Sequence, residues 1–380
     1  MQPYMTHLAH NLLLGLDRGE LVSLVAGLDE PAYRAQQLLD GIYRKRLESI
    51  DRISTFPQAL RSKLVGDGYT IGLPAVEKRF VSIDGTVRYL IALTDGQTVE
   101  TVWMPEGDGG EAGDGTEAGD SAQNGPRGWD RATICVSSQV GCAVDCQFCL
   151  TALLGVKRNL TAGEIVGQVL RVLTDQNVSP PQDRVNLVFM GMGEPFLNYD
   201  NFIKAVRLLV EEVGIAESRM TVSTAGIVPR IHDFGLEAIR PKLAISLNAS
   251  NDETRTRLMP INRKWSLATL ITAARDFPLR NRERITFEYV LLDGVNDDTT
   301  NAEEVVTLLR GLPSKVNLIA LNPGPGIDFL TPTADRVSAF QNVLIKSGIP
   351  TFVRRPRGRD IFAACGQLKR TVEIATSPAL

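Results

Sequence analysis

Residues 1–70 place apolar side chains at the spacing of amphipathic helices. Pro31 suits the first turn of a helix, because proline lacks the backbone N–H that a first turn leaves unbonded. Large apolar residues then recur on one helical face, at Tyr33, Leu38, Leu39, Ile42 and Tyr43. The pattern predicts an N-terminal helical accessory domain over residues 1–70.

From residue 71 the apolar positions change to the alternation that is typical of strands. Asp84-Gly85 and Asp95-Gly96 interrupt the alternating segments, and an Asp-Gly pair is a strong signal for a tight hairpin turn. The pattern predicts a small antiparallel β-sheet extension over residues 71–105.

Residues 130–350 alternate short apolar segments with amphipathic ones, which predicts strands that are each followed by a helix. The predicted strands are 132–136, 186–190, 220–223, 242–247, 285–291 and 316–321. This alternation is typical of an α/β fold with a parallel sheet, and six units are too few to close an eight-unit barrel. We therefore predict a partial (β/α)6 barrel that binds ligands at the carboxyl ends of its strands, followed by a C-terminal segment over 351–380.

Acidic charge is concentrated in one stretch between the predicted extension and the barrel. Residues 106–128 contain six acidic residues and one basic residue among many glycines, whereas the whole chain has a net charge of −3. A segment without large apolar side chains cannot offset the entropy that it would lose on ordering. We predict a disordered acidic insert at 106–129 with no catalytic role.

The remaining composition is that of a soluble globular protein, with 43% hydrophobic and 22% charged residues. The chain has no apolar run of membrane-spanning length and no signal segment at its N-terminus. We expect a cytoplasmic monomer without a membrane partner.

Cysteines are clustered in a way that changes this general picture. Cys142, Cys146 and Cys149 are spaced C-x3-C-x2-C, so one short loop brings three thiols together. A structural zinc site or an ordinary [4Fe-4S] carrier uses four protein ligands, whereas three leave one iron of a cluster free for another molecule. Three buried or zinc-binding cysteines are the alternative interpretation.

Polar and small residues follow the predicted strands, where a barrel of this kind binds ligands. Glycines let a backbone approach a ligand closely, and a carboxylate accepts hydrogen bonds from an ammonium group. The candidate ligand-binding residues are Gly193, Glu194, Ser223, Ser246, Leu247, Asn248 and Asn322. A simple glycine-rich turn is the alternative for Gly193 and Glu194.

Several motifs together resemble the RlmN family of radical S-adenosylmethionine (SAM) methyltransferases. They include the segment from Cys135 to Gln168, Gly191-Met-Gly-Glu-Pro195, Leu258-Met-Pro-Ile-Asn262 and Ala363-Ala-Cys-Gly-Gln-Leu368. The resemblance implies a [4Fe-4S] cluster on Cys142, Cys146 and Cys149, with SAM bound by the candidate residues at the strand ends. It further implies methylation of C2 of adenine 2503 in 23S rRNA and of adenine 37 in tRNA.

The resemblance also implies roles for three residues outside the cysteine loop. Cys365 would carry the methyl group as S-methylcysteine, Glu100 would accept the C2 proton, and Cys135 would form a transient disulfide with Cys365. A buried structural cysteine, an exposed strand carboxylate and a spare cluster ligand are the respective alternatives. Reduction of the cluster and the disulfide implies an external donor such as flavodoxin.

Two positions depart from the family pattern. Asn248 stands where the family usually has histidine, and Leu150 stands where it usually has a small residue. Asparagine still forms hydrogen bonds but does not titrate, and leucine changes the expected shape of the cofactor pocket.

Basic residues near the last cysteine are candidates for RNA contact. They are Arg354, Arg355, Arg357 and Arg359, with Lys369 and Arg370 beyond and Lys157 and Arg158 after the cysteine loop. A solvated basic face is the alternative for these residues. For residues 1–70 the sequence leaves two interpretations open, a small packing domain and an RNA-docking module. Other possible functions are a methylase acting at C8 of the same adenine, a radical SAM enzyme on a non-RNA substrate, and a non-enzymatic iron–sulfur RNA-binding protein.

Overall fold

The computed structural model describes residues 11–106, 129 and 131–368. Residues 11–70 form helices α1 (Arg18–Ala26), α2 (Tyr33–Leu39) and α3 (Gln58–Gly66), with β1 (Asn11–Leu12) paired to β2 (Tyr69–Thr70). A π-helical turn, Asp40–Arg44, extends α2. The apolar residues predicted after Pro31 are buried apart from Tyr33, which confirms the helical prediction.

Three antiparallel strands follow the helices: β3 (Ala75–Val81), β4 (Val87–Ala92) and β5 (Thr98–Glu106). The two Asp-Gly pairs form their turns, with φ of +80° at Gly85 and +77° at Gly96, where glycine avoids strain. Both predicted hairpins are therefore confirmed. Strand β5 also pairs with the first strand of the barrel, so the extension continues the main sheet.

Seven parallel strands form the rest of this ten-stranded sheet. In chain order they are β6 (Arg131–Cys135), β9 (Val185–Phe189), β10 (Met220–Thr224), β11 (Lys242–Ser246), β12 (Ile285–Leu291), β13 (Ser314–Ala320) and β14 (Thr351–Val353). Between β6 and β9 in the chain, β7 (Gln139–Val140) and β8 (Arg158–Asn159) pair with each other in a separate two-stranded sheet. The strand order is β14-β13-β12-β11-β10-β9-β6-β5-β4-β3. The sequence predicts six of the parallel strands and misses β14, because three residues carry too little alternation.

Helices connect the parallel strands and pack on the sheet in a main hydrophobic core, and a smaller second cluster that includes Leu258 packs against the three clustered cysteines. They are α4 (Ala162–Asp175), α5 (Tyr199–Leu208), α6 (Val228–Gly235), α7 (Asp252–Leu258), α8 (Leu267–Asp276), α9 (Thr299–Leu309) and α10 (Ala334–Lys346). Thr161 and Glu164 form a capping box at the start of α4. Helix α7 was not predicted, because its sequence is short and largely charged.

The architecture confirms the α/β fold and the partial barrel. The proposed domain boundaries stay predictions, and the acidic insert lies almost entirely outside the described residues, as do Lys369 and Arg370. No helix in the described ranges has the length and apolar character needed to cross a bilayer.

Candidate active site

The three clustered cysteines lie on a tight loop that follows β7. The Val144 N–H donates to Cys142 Sγ at 3.4 Å, and the Cys149 N–H donates to the carbonyl of Cys146 at 3.1 Å. These turns direct all three side chains into one cavity, which Val144 also lines. The spacing in the sequence therefore produces convergence of the three thiols.

The chemistry of this loop suits an iron–sulfur cluster. Burial raises the pKa of Cys142 to about 12 and that of Cys146 well above its usual value, so a bound metal centre has to stabilise the thiolates. Among the described residues, no three His, Cys, Asp or Glu side chains converge closely enough for a single metal ion. A cluster differs in this respect, because each cysteine binds a different iron.

The cavity beside the cysteine loop, here called the strand-end cavity, has a volume of about 160 Å³. Its polar wall comes from the carboxyl ends of neighbouring strands and the residues after them: Glu194, Ser223, Ser246, Asn248 and Asn322. The Ser223 and Ser246 hydroxyls are 3.3 Å apart. Five of the seven predicted ligand-binding residues therefore line one cavity with the cysteines.

The other two predicted residues act through the backbone. Gly193 has φ of +97°, and a Cβ atom there would lie 2.6 Å from the backbone nitrogen of Gln139. Leu247 is buried, and its carbonyl accepts a hydrogen bond from Arg255 at 3.0 Å. Neither side chain lines the cavity, so both residues support its shape.

Glu194 is the acidic residue of the strand-end cavity. Its carboxylate accepts hydrogen bonds from the Ala225 N–H at 2.7 Å and the Phe196 N–H at 3.0 Å. Burial raises its pKa to about 7, although both hydrogen bonds oppose the increase. The carboxylate is thus fixed in place and gains stability when a cation binds.

A second cavity, here called the arginine cavity, adjoins the first. Its lining includes Met104, Cys135, Met190, Arg354, Arg355, Arg357 and Cys365. Cys149, Asn322 and Cys365 belong to both linings, so Cys365 lies where the two cavities meet.

Cys135 and Cys365, the two cysteines outside the cluster loop, both line the arginine cavity. Burial and the nearby Cys365 raise the pKa of Cys135 to about 12. Both cysteines are free thiols in this structure, and Cys365 is exposed on the cavity wall. The protein atoms around its sulfur nevertheless desolvate the thiolate and raise the pKa of Cys365, and the Arg354 cation opposes the increase at both thiols.

Hydrogen bonds fix the Cys365 loop to the rest of the site. The Leu150 N–H donates to the Gly366 carbonyl at 2.8 Å, which joins this loop to the cysteine loop. The Asn322 side-chain amide donates to the Cys365 carbonyl at 3.2 Å. The position of Cys365 thus depends on both neighbouring loops.

Comparisons with known proteins agree with this geometry. Residues 136–304 match the model of the Radical SAM superfamily, and residues 11–67 match that of the ribosomal RNA large subunit methyltransferase N-terminal domain. The probable dual-specificity RNA methyltransferase RlmN of Koribacter versatilis is 68% identical over 92% of this chain and 99% of its own. The chain belongs to the RlmN family.

Two further comparisons cover nearly the whole chain. The dual-specificity RNA methyltransferase RlmN of Anaeromyxobacter sp. is 46% identical over 93% of this chain and 89% of its own. A crystal structure of a radical SAM methyltransferase from Sphaerobacter thermophilus superposes with a TM-score of 0.84 at 41% identity, covering 95% of this chain and 100% of that one. The predicted family is confirmed, and membership implies a [4Fe-4S] cluster and SAM.

The first departure from the RlmN pattern has a local explanation. Asn248 has φ of +57°, a left-handed conformation that asparagine and histidine tolerate better than most residues. Its side-chain oxygen accepts the Val290 N–H at 2.8 Å, and its amide contacts Met259 Sδ at 3.2 Å. Asn248 therefore lines the strand-end cavity with one position used on its oxygen and one on its nitrogen, and each atom can form a second hydrogen bond.

The second departure is accommodated by a glycine. Leu150 is buried, and a Cβ atom at Gly324 would lie 2.6 Å from Leu150 Cδ1. The Leu150 side chain lines neither cavity. It thus occupies space that Gly324 leaves, which removes the expected effect on the cofactor pocket.

Glu100 lies on the sheet face that bears Cys135, but it is not open to either cavity. In the strand register Cys135 is opposite Val102, two residues from Glu100, so the side chains share a face. Glu100 is fully buried in an ion pair with Arg88, which is also fully buried and stacks on Phe80. The sequence did not predict this ion pair.

A contact between the β3–β4 turn and the C-terminal segment was also not predicted. The Asp84 carboxylate accepts the Gly358 N–H at 3.0 Å, and the Ser82 hydroxyl donates to the Asp360 carboxylate at 2.6 Å. Burial raises the pKa of Asp84, but hydrogen bonds from Gly358, Thr86 and Ser82 outweigh it and lower the pKa below its usual value. We call this contact the hairpin clasp, and it fixes the segment that carries Cys365.

Proposed function

We propose that this protein is a radical SAM RNA methyltransferase that methylates C2 of an adenine in 23S rRNA. The observation that carries the proposal is Cys365, which lines both the cavity beside the cluster cysteines and the cavity bearing three arginines. The names of the RlmN relatives support RNA as the substrate. Adenine 2503 of 23S rRNA and adenine 37 of tRNA are the proposed positions.

Cys142, Cys146 and Cys149 would hold a [4Fe-4S] cluster beside the strand-end cavity. When bound, the cluster supplies the electron that cleaves SAM to a 5′-deoxyadenosyl radical. Glu194 accepts hydrogen bonds from the SAM ammonium group, and the polar groups of Ser223, Ser246, Asn248 and Asn322 bind its other polar atoms. The residues of this cavity thus determine the orientation of SAM.

Cys365 would act as the methyl carrier. Its thiolate would attack the methyl carbon of one SAM molecule, so that the new S–C bond gives S-methylcysteine and the broken S–C bond releases S-adenosylhomocysteine. Arg354 favours this step, because its positive charge stabilises the thiolate against burial. The 5′-deoxyadenosyl radical from a second SAM would then take a hydrogen atom from the S-methyl group and become 5′-deoxyadenosine. The carbon radical left on Cys365 would add to C2, a carbon too electron-poor for ordinary methyl transfer.

Release of the product would involve Cys135 and Glu100. Cys135 lines the cavity of Cys365 and is the proposed partner in a transient disulfide, which an external donor such as flavodoxin reduces. Glu100 is the proposed base for the C2 proton. Because Arg88 covers it, the Arg88–Glu100 ion pair has to open before Glu100 reaches the adenine.

RNA contact would fall mainly on the arginine cavity. Arg354, Arg355 and Arg357 line it, and guanidinium groups bind phosphates well. Arg158 instead binds the protein's own Asp95 and Glu164 carboxylates, which leaves the exposed Lys157 as the base beside the cysteine loop. The target adenine has to leave its stack to reach Cys365.

The test is anaerobic reconstitution with iron, sulfide, SAM, reduced flavodoxin and a 23S rRNA fragment. Digested RNA is analysed by mass spectrometry against 2-methyladenosine and 8-methyladenosine standards, with a tRNA in a parallel reaction. We expect 2-methyladenosine from the wild type and none from Cys365→Ala. An 8-methyl product would favour the C8-directed function, and turnover by Cys365→Ala would favour a radical SAM enzyme on another substrate.

Two further outcomes complete the proposal. A protein that binds RNA but never cleaves SAM after reduction would be a non-enzymatic iron–sulfur protein. Light scattering of the reconstituted protein is expected to give the mass of one 41.5 kDa chain, in agreement with the predicted monomer.

A further inference from the structure

Arg255 is a buried cation on α7 that the proposed mechanism does not use. It is 1% exposed, and its guanidinium forms four hydrogen bonds. The acceptors are the Leu247 carbonyl at 3.0 Å, the Ala225 carbonyl at 2.8 Å, the Ser246 carbonyl at 3.0 Å and Asn262 Oδ1 at 2.9 Å. All four acceptors are uncharged.

These acceptors belong to the wall of the strand-end cavity. Ser246 ends β11 and Ala225 follows β10, and both line the cavity beside the cysteines. Ala225 also donates its N–H to Glu194. Arg255 itself does not line the cavity, so it links the two strand ends from the side of the wall that faces away from the cavity.

Among the described residues, no carboxylate directly contacts the Arg255 guanidinium. The acidic group that acts on it within the fold, Asp252, accepts hydrogen bonds from the Asn262 amide and the Leu267 N–H instead. Burying a cation without an ionic partner is destabilising, so a negative charge nearby is expected to offset it.

The cysteine loop lies against the same helix as Arg255. The Gln147 N–H donates to the carbonyl of Leu258, the last residue of α7, at 3.0 Å. Leu258 belongs to a hydrophobic cluster against which all three cluster cysteines pack. Thiolates that hold a cluster would therefore place negative charge on the other side of the wall that Arg255 supports.

We propose that Arg255 is a positioning residue that acts as the fixed counter-charge of the iron–sulfur cluster and raises the cluster's reduction potential. The inference rests on the proposed cluster, but not on the RNA substrate. Reduction adds one electron from a low-potential donor to the cluster and breaks no bond. A buried positive charge stabilises that added electron, because the low-dielectric wall screens it weakly.

The matched control is Arg240, the other buried arginine of this region. It is 2% exposed, but it pairs with Glu283 at 2.8 Å and stacks on Phe277. It stands before the first residue of β11, whereas the Arg255 acceptors stand at the other end of that strand. Arg240 is thus buried, ion-paired and remote from the cluster cysteines.

The experiment is an anaerobic potentiometric titration of reconstituted wild type, Arg255→Met, Arg255→Lys and Arg240→Met, followed by EPR of the reduced cluster. We expect Arg255→Met to lower the ratio of reduced to oxidised cluster at least tenfold at a fixed potential, which corresponds to about 59 mV. Arg255→Lys retains the charge and should stay within threefold of wild type. Arg240→Met should leave the ratio unchanged.

Asp252→Asn covers the case in which Arg255→Met does not fold. It removes the carboxylate that opposes Arg255 but keeps an oxygen for the bonds from Asn262 and Leu267, so the reduced fraction should rise. An unchanged ratio in folded Arg255→Met, a tenfold loss in Arg255→Lys, or no rise in Asp252→Asn would overturn the proposal. A wild type that forms no cluster would overturn the proposed function as well.

Discussion

The strand-end cavity and the arginine cavity share Cys365 but differ in charge. Among the described residues, the former is lined by Glu194 and the three cluster cysteines but by no Lys or Arg. The latter is lined by three arginines and, within the same described ranges, by no acidic residue. The first therefore suits a cation such as the sulfonium and ammonium groups of SAM, and the second suits the phosphates of RNA.

The two cavities also differ in how the chain builds them. The strand-end cavity comes from residues that directly follow successive parallel strands, as the fold requires. The arginine cavity depends on the C-terminal segment, the cysteine loop and the hairpin clasp, which are far apart in sequence. Consequently, a substitution confined to the arginine cavity should impair methyl transfer to RNA without impairing the binding of SAM.

The largest predicted effect separates the two cavities directly. Cys146→Ala should reduce both SAM cleavage and RNA methylation to background, because a cluster ligand is lost. Cys365→Ala should lose RNA methylation only. Chromatography of 5′-deoxyadenosine and iron analysis of each variant check this difference, and loss of the cluster in Cys365→Ala would contradict it.

Gly193→Ala should damage the strand-end cavity by the next largest amount. Gly193 has φ of +97°, and a Cβ atom there would overlap the Gln139 backbone. Backbone strain and overlap together should lower the free energy of unfolding by about 3 kcal/mol and weaken SAM binding. Gly68 has φ of +81° with no atom within 4 Å of a Cβ, so Gly68→Ala should cost only about 1 kcal/mol. Equal urea denaturation curves for the two variants would refute this account.

The raised pKa of Glu194 predicts a specific pH dependence of the apoprotein. The folded protein binds this proton more tightly than the unfolded chain, so the stability gained below the ordinary pKa of 4.5 is lost as pH rises through about 7. The loss should be on the order of 3 kcal/mol, and Glu194→Gln should not show it. Urea unfolding of both proteins between pH 4.5 and 8 measures the difference between their free energies of unfolding. A difference that stays constant with pH would contradict the prediction.

The hairpin clasp should give the smallest effect, confined to the arginine cavity. Asp84→Ala removes the acceptor for the Thr86 and Gly358 N–H groups, so RNA methylation should fall about tenfold with SAM cleavage unchanged. Asp298→Ala removes an equivalent capping carboxylate from α9 and should affect neither reaction. An equal loss of SAM cleavage in Asp84→Ala would show that the clasp supports the whole barrel instead.

Much of the fold followed from local patterns. The Asp-Gly turns, the capping box at Thr161 and the six longer parallel strands each carry their signal within a few residues. Helix α7 and strand β14 did not, because short elements depend on tertiary contacts for their stability. The continuity of the antiparallel strands with the barrel likewise depends on the pairing of β5 with β6.

The candidate site likewise has features that local sequence predicts and others that only the folded chain shows. The cysteine spacing and the polar strand ends predicted one lining, since local sequence places them at the same end of the barrel. Three contacts could not be predicted: Arg88 with Glu100, Asp84 with Gly358, and Arg255 with the strand ends. Each joins residues whose proximity only the folded chain determines, and an isolated buried arginine has no distinctive pattern in sequence.

The central claim is that Cys365 transfers a methyl group between the two cavities. The most direct measurement is mass spectrometry of cysteine-containing peptides after anaerobic incubation of the reconstituted enzyme with methyl-labelled SAM in the absence of RNA. We predict one labelled methyl group on Cys365, none on Cys135, and transfer of its carbon to adenine when RNA and reductant are added. An unlabelled Cys365 in a preparation that still methylates RNA would contradict the account.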